Sequence, residues 1–132
     1  ALVKQVAGEA RMFESLKLTV MAQAMAAHAG SRMGLIARNV ANADTPGYRA
    51  LDMPSFSEIY QEDGAFGANA STGMAAGKTQ PFIAPGDVEP NGNSVSVEVE
   101  MVKAAEARQE QEMALAIYRS ASGIIRASLG RA

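Results

Sequence analysis

The chain has 132 residues, 48% of them hydrophobic and 20% charged, with 12 basic and 14 acidic side chains for a net charge of -2. That length suits one domain. The charge balance lacks the positive excess that duplex or RNA binding requires, and the absence of cysteine removes disulfides, thiolate nucleophiles and cysteine metal sites while leaving the redox compartment open.

The aromatic residues are Phe13, Phe56, Phe66, Phe82, Tyr48, Tyr60 and Tyr118; there is no Trp, and alanine dominates the rest. Such a composition favours thin helix-on-helix contacts over a bulky core. The longest weakly charged stretch, Leu18 to Ser31, is shorter than the ~20 residues of a transmembrane helix. Ala1 to Arg11 does not supply the basic, apolar and cleavage-site series of a secretory signal, so export without cleavage is expected if the protein leaves the cytoplasm.

Residues 1–13 read as an N-terminal extension. From Glu14 to Asn42 the sequence predicts one helix, rich in Ala, Met, Leu and Arg and free of Pro, about 43 Å long. Leu18, Ala22, Met25, Ala29, Met33, Ile36 and Val40 follow steps of 4, 3, 4, 4, 3 and 4 and form a packing seam. Beside it, Ala22, Ala26, Gly30 and Gly34 make a row of small side chains that would let another helix come close. Mid-helix glycine costs about 1 kcal/mol relative to alanine, so either close packing offsets that cost or the glycines are simply tolerated.

Asn39-Val40-Ala41-Asn42-Ala43-Asp44-Thr45-Pro46-Gly47-Tyr48 reads as a helix stop. Asn42 is expected in the left-handed conformation past the helix end, Pro46 pushes Thr45 toward extended geometry, and Pro46-Gly47 suits the centre of a type II turn. Asp44 and Thr45 can bond nearby backbone, and Tyr48 can lay its ring on the helices. These residues complete a segment spanning 14–60.

Residues 61–93 hold six of the twelve glycines and three of the five prolines, a linker expected to be mobile in a free monomer and to order on assembly. The final segment, 94–132, carries the second helix, predicted from about Glu98 to Ala127 after the turn-prone Asn91-Gly92-Asn93-Ser94. Val95 and Val97 form a short extended lead-in, although the alternation of Val95, Val97, Val99 and Met101 also fits a strand.

This helix carries two apolar rows. One is Val102, Ala105, Gln109, Met113, Ala116, Ser120, Ile124 and Ala127; the other is Ala107, Ala114, Tyr118, Ala121, Ile125 and Leu129, with Ile117 added to the seam set. One partner helix cannot cover both, which predicts contacts with neighbouring molecules. Arg108, Glu112, Arg119 and Arg126 are read as the wet face. The expected fold is mainly α: two long helices packed as an antiparallel, coiled-coil-like pair and joined by an irregular region.

The Asn39 to Tyr48 string, with its lead-in Ser31 to Arg38 and continuation Arg49 to Phe56, resembles the flagellar basal-body rod protein family. That family pairs a helix ending in Asn-x-Ala-Asn with a Thr-Pro-Gly-Tyr turn. Gly92-Asn93-Ser94-Val95, then Glu98-Val99-Glu100-Met101 and a long helix, are similar to its proximal, FlgB-like branch, and the small size fits FlgB or FlgC.

The resemblance covers about residues 12–60 and 91–128 and implies a start near Met12. It further implies a structural subunit of the periplasmic rod, the drive shaft of motility, exported by the flagellar type III apparatus without a cleaved signal. Its partners would be copies of itself, the adaptor FliE at the membrane ring and the rod proteins FlgC and FlgF.

No catalytic, cofactor or metal site is expected. His28, the one histidine, has Ala24 and Arg32 four residues to either side instead of carboxylates and is read as a seam or surface residue. Asp44 near Tyr48 is assigned to capping before acid-base work. The glycines lack phosphate-loop spacing. Glu98, Glu100, Glu106, Glu110 and Glu112 are read as a solvated face and first-turn charge, against a hydrolase that would need paired carboxylates in a cleft. The other reading is a soluble helical adaptor or export chaperone that holds one partner through Met12, Met21, Met25 and Met33.

Overall fold

The computed structural model describes residues 1–62 and 80–130. In chain order the elements are helix α1 (Leu2–Ala41), strand β1 (Leu51–Asp52), helix α2 (Phe56–Glu62), strand β2 (Phe82–Ile83) and helix α3 (Val97–Leu129). The fold is mainly helical, with α1 and α3 packed against each other as an antiparallel pair. Their direction follows from cross-pairs: climbing α1 through His28, Arg32 and Asn39 descends α3 through Glu110, Glu106 and Glu100.

α1 is longer than the sequence predicts. Nothing between Leu2 and Glu14 breaks a helix, and the expected extension is simply the first three turns of α1. α3 begins one residue early and ends two late. Ser96, extended at φ -109° and ψ 113°, accepts from Val99 N–H, Glu98 and Glu100 sit in the first turn, and Arg126 sits in the last, so both ends match the helix dipole. Val95 is thus part of the extended lead-in and Val97 is the first helical residue. Among the described helices none is long and apolar enough to cross a membrane.

The helix contact is built on alanine at seven-residue intervals. α1 buries Ser15, Ala22, Ala29 and Ile36; α3 buries Glu100, Ala107, Ala114 and Ala121. A seven-residue repeat keeps small side chains on the shared seam, and alanine lets the helices approach closely. The predicted α1 seam climbs 22 residues in six steps, a longer period than 3.5, so it drifts off this face: Ala22, Ala29 and Ile36 are buried and Met25 and Met33 half-buried, but Leu18 and Val40 are exposed. Asn39 takes the place expected for Val40.

A second small core lies where the chain leaves α1. Ala50, Met53, Phe56 and Ile59 are buried, and the Phe56 ring lies 5.8 Å from His28. β1 and β2 pair antiparallel, Leu51 opposite Ile83 and Asp52 opposite Phe82, and Ala84 N–H extends the pairing to Ala50 O at 2.9 Å. Residues 80–93 are therefore tied to the helices, contrary to the expectation of a mobile linker through Asn93. The remainder of that linker, 63–79, lies outside the described residues.

Candidate functional site at the corner and the outward helix faces

The Asn39 to Tyr48 string does end α1, by a different device at Asn42. Asn42 stands at φ -109° and ψ 22°, not in the left-handed region. Its N–H donates to Arg38 O and Asn39 O, and its side-chain Nδ2 donates back to Arg38 O at 2.8 Å, so the last turn tightens and the side chain serves the free carbonyl. Thr45 Oγ1 donates to Asn42 Oδ1. Thr45 to Tyr48 then form the type II turn: Gly47 has φ 76° and Tyr48 N–H donates to Thr45 O at 3.2 Å. Asp44 and Pro46 are exposed.

Against this turn lies the segment leading into α3. Gly47 N–H donates to Asn91 O, Ser94 N–H to Tyr48 O, and Ala50 N–H to Ser94 Oγ at 2.8 Å. Asn93, 1% exposed, donates from Nδ2 to Asn42 O and Thr45 O and accepts Val95 N–H at 2.7 Å. Gly92 has φ 86°, and a Cβ there would stand 3.2 Å from Gly47 Cα. Two glycines meet because the two backbones touch.

Asn39 ties this corner to the helix pair. It is fully buried and uses its whole side-chain amide: Nδ2 donates to Leu51 O and Glu100 Oε2, and Oδ1 accepts from Leu51 N–H and Tyr48 Oη–H. Tyr48 thus contributes its hydroxyl to the corner. Glu100, 1% exposed, also faces Lys103 Nζ at 3.6 Å. Lys103 and Arg32 share Asp52, and Arg32 reaches Glu106 at 3.2 Å. Burial alone would raise the Asp52 carboxyl, but the Met53 N–H and the Arg32 and Lys103 charges together hold it below its ordinary value.

His28 is part of the same interface. Its Nε2 lies 2.7 Å from Pro54 O and its Nδ1 3.1 Å from both Glu110 oxygens. Because a carbonyl only accepts, Nε2 is the donor to Pro54 O, and Nδ1 faces the Glu110 carboxylate. Both ring nitrogens are used in joining α1, α3 and the Pro54 corner. The carboxylate partners that helical spacing within α1 does not offer come from the opposite helix.

Glu100 and Glu110 are interface residues and not solvated charge, which corrects the sequence expectation. His28 lies in the seam, one of its two expected places, but with the carboxylate partner it was expected to lack. The signal was present in the rows of seven: Glu100 lies one heptad before Ala107 and continues the alanine seam. Gly92 and Asn93 gave only a turn signal. Arg108 and Glu112 do form an exposed pair at 3.3 Å.

The two rows of α3 separate over most of their length. Ala107, Ala114 and Ala121 are buried against α1, with Ile117 and Ile125 half-buried; Tyr118 and Leu129 stay exposed at its edge. Every member of the other row, Val102, Ala105, Gln109, Met113, Ala116, Ser120, Ile124 and Ala127, is exposed. On α1 the small-residue row turns away from α3: Ala22 is buried and Ala26 half-buried, while Gly30 and Gly34 face open space, with nothing within 4 Å of an added Cβ. Among the described residues no cluster of three or more His, Cys, Asp and Glu could hold a metal ion. In comparison with known proteins, no family model matches this chain and no curated protein matches it significantly.

Proposed function

We propose that this chain is a structural subunit of the bacterial flagellar basal-body rod, of the proximal FlgB-like kind, that works by packing with copies of itself and with other rod proteins. The observation that carries the proposal is the row Val102 to Ala127, a largely apolar stripe along most of α3, interrupted by Gln109 and Ser120, that the described residues leave outside. A helix apolar on two faces needs a second partner, and α1 covers only one. The corner supports the same reading, because the two stretches that resemble the rod family, Asn39 to Tyr48 and Gly92 to Val95, bond to each other as one unit.

In this proposal the corner sets the hairpin's geometry and the outward faces make the assembly. Its partners are further copies, the adaptor FliE at the membrane ring and the rod proteins FlgC and FlgF, reached in the periplasm after passage through the export apparatus without signal cleavage. No catalytic step is assigned to it.

Sedimentation of the purified chain over a concentration series, alone and mixed with FliE and FlgC, tests this reading. Large species that form with the partners and vanish in Met113→Glu, which places a charge on the outward row, are the expected result. A saturable one-to-one complex with a single partner and no growth would favour the adaptor reading instead, and a chain that ignores all of these partners would defeat the rod assignment.

A further inference from the structure

The side of α1 turned away from α3 carries its own seven-residue row. Val6, Phe13, Val20, Ala27, Gly34 and Ala41 are all exposed, and each lies one heptad from the next. On one flank the same repeat runs Leu2, Glu9, Leu16, Gln23, Gly30 and Ala37, all exposed, with two polar members among the apolar and small ones. A strict repeat of seven on a helix surface is the pattern of a seam that pairs with another helix, and among the described residues it stays exposed.

Size is distributed unevenly along this seam. Its first half is bulky, with Val6 and Phe13 each 59% exposed, Leu16 44% and Val20 42%. Its second half is smooth: Ala27, Gly30, Gly34, Ala37 and Ala41 have at most a methyl group, and a Cβ added at Gly30 or Gly34 would meet nothing. Turned end for end, a second α1 would bring Phe13 level with Gly34, Val6 level with Ala41 and Val20 level with Ala27. Each large side chain of the main row then faces a small one on both sides of the twofold axis.

We propose that this face of α1 is an antiparallel self-association seam whose occupant is α1 of a second copy. Area favours this over a parallel, staggered arrangement that would also set Phe13 against Gly34. α1 is about 60 Å long, so an antiparallel contact about 10 Å wide removes on the order of 1,200 Å² from water in total, the lower edge of a stable interface. A staggered contact joins only half of each helix and removes about half as much. The antiparallel pair is also closed, so it uses the α1 face fully and leaves the outward row of α3 free. It stands whether or not the rod reading does.

The absence of cysteine makes the test clean, since any disulfide must form at an engineered position. In the full chain, Gln23→Cys lies near the twofold axis and is expected to cross-link to itself, giving a covalent dimer under mild oxidation. Val6→Cys and Ala41→Cys are expected to form little dimer separately and abundant mixed dimer when combined. Phe13→Glu is expected to weaken dimerisation at least tenfold in sedimentation, with unchanged circular dichroism. Efficient mixed dimer from Val6→Cys with Ala27→Cys would overturn the antiparallel pairing in favour of the staggered one. Val6→Cys cross-linking to itself, or a chain that stays monomeric at every concentration, would equally overturn it; because no cysteine variant lies in the seam shared with α3, misfolding is read separately by helicity.

Discussion

At the scale of single residues, the corner depends on a few side chains whose types are hard to replace. Asn93 is buried and serves three backbone groups, two carbonyls and one N–H. Asn93→Ala leaves them without it and is expected to lower monomer stability by about 2–3 kcal/mol in urea unfolding, given roughly 1 kcal/mol per hydrogen bond. Gly92→Ala must hold a Cβ at positive φ and press it on Gly47, and is expected to cost about 1–2 kcal/mol or more in the same measurement. Asp52 provides a pH signature. Its folded carboxyl is held below the ordinary 3.8, so its contribution is fully present above that value and is lost as pH falls through the lowered one. Asp52→Asn should therefore flatten the acid limb of a stability-against-pH curve below about pH 4; an unchanged limb would mean that other carboxylates dominate it.

At the scale of elements, α3 is a helix with one satisfied face and one open face among the described residues, and two nearby alanines distinguish them. Ala114 is 1% exposed in the seam, so Ala114→Leu overpacks it and is expected to destabilise the monomer by about 1–3 kcal/mol. Ala116 lies two residues on and faces outward, and Ala116→Leu should leave monomer unfolding within about 0.5 kcal/mol of the original while altering self-association. Equal effects from the two would mean that the faces are assigned wrongly. The alanine seam also explains why the polar pairs matter. Small side chains repeated every seven residues would pack in more than one register, whereas His28 with Glu110 and Asn39 with Glu100 fit only one.

At the scale of the whole molecule, much of the apolar surface is outside. Met101, Val102, Phe13 and Val6 are each more than half exposed, far beyond what a stable monomer of this size needs to show to water. The assembly proposed above would be the physical outlet for that surface. Gly34→Leu fills a place that no described residue touches, so the isolated chain should keep its helicity and stability, yet the added side chain closes the smooth half of the α1 face. Loss of self-association in sedimentation with an unchanged thermal transition is the expected result. Normal association by this variant would remove the small-residue face from the argument.

What the sequence determined by itself was local and periodic. Long runs without proline make helices, the Thr45-Pro46-Gly47-Tyr48 chemistry makes the turn, and two apolar rows can be read on the second helix, all of which follow from side chains within a few residues of each other. What only the tertiary structure decided was which row faces which helix and which charges are buried. Glu100 and Glu110 look like solvent-facing carboxylates until Asn39 and His28 arrive from the antiparallel helix, and Gly92 looks like an ordinary turn glycine until Gly47 lies against it. Such partners are separated by between 45 and 82 residues in the chain, so no local rule brings them together. The register in which α1 and α3 meet does so, because there the alanine seam closes while Asn39 meets Glu100 and His28 meets Glu110.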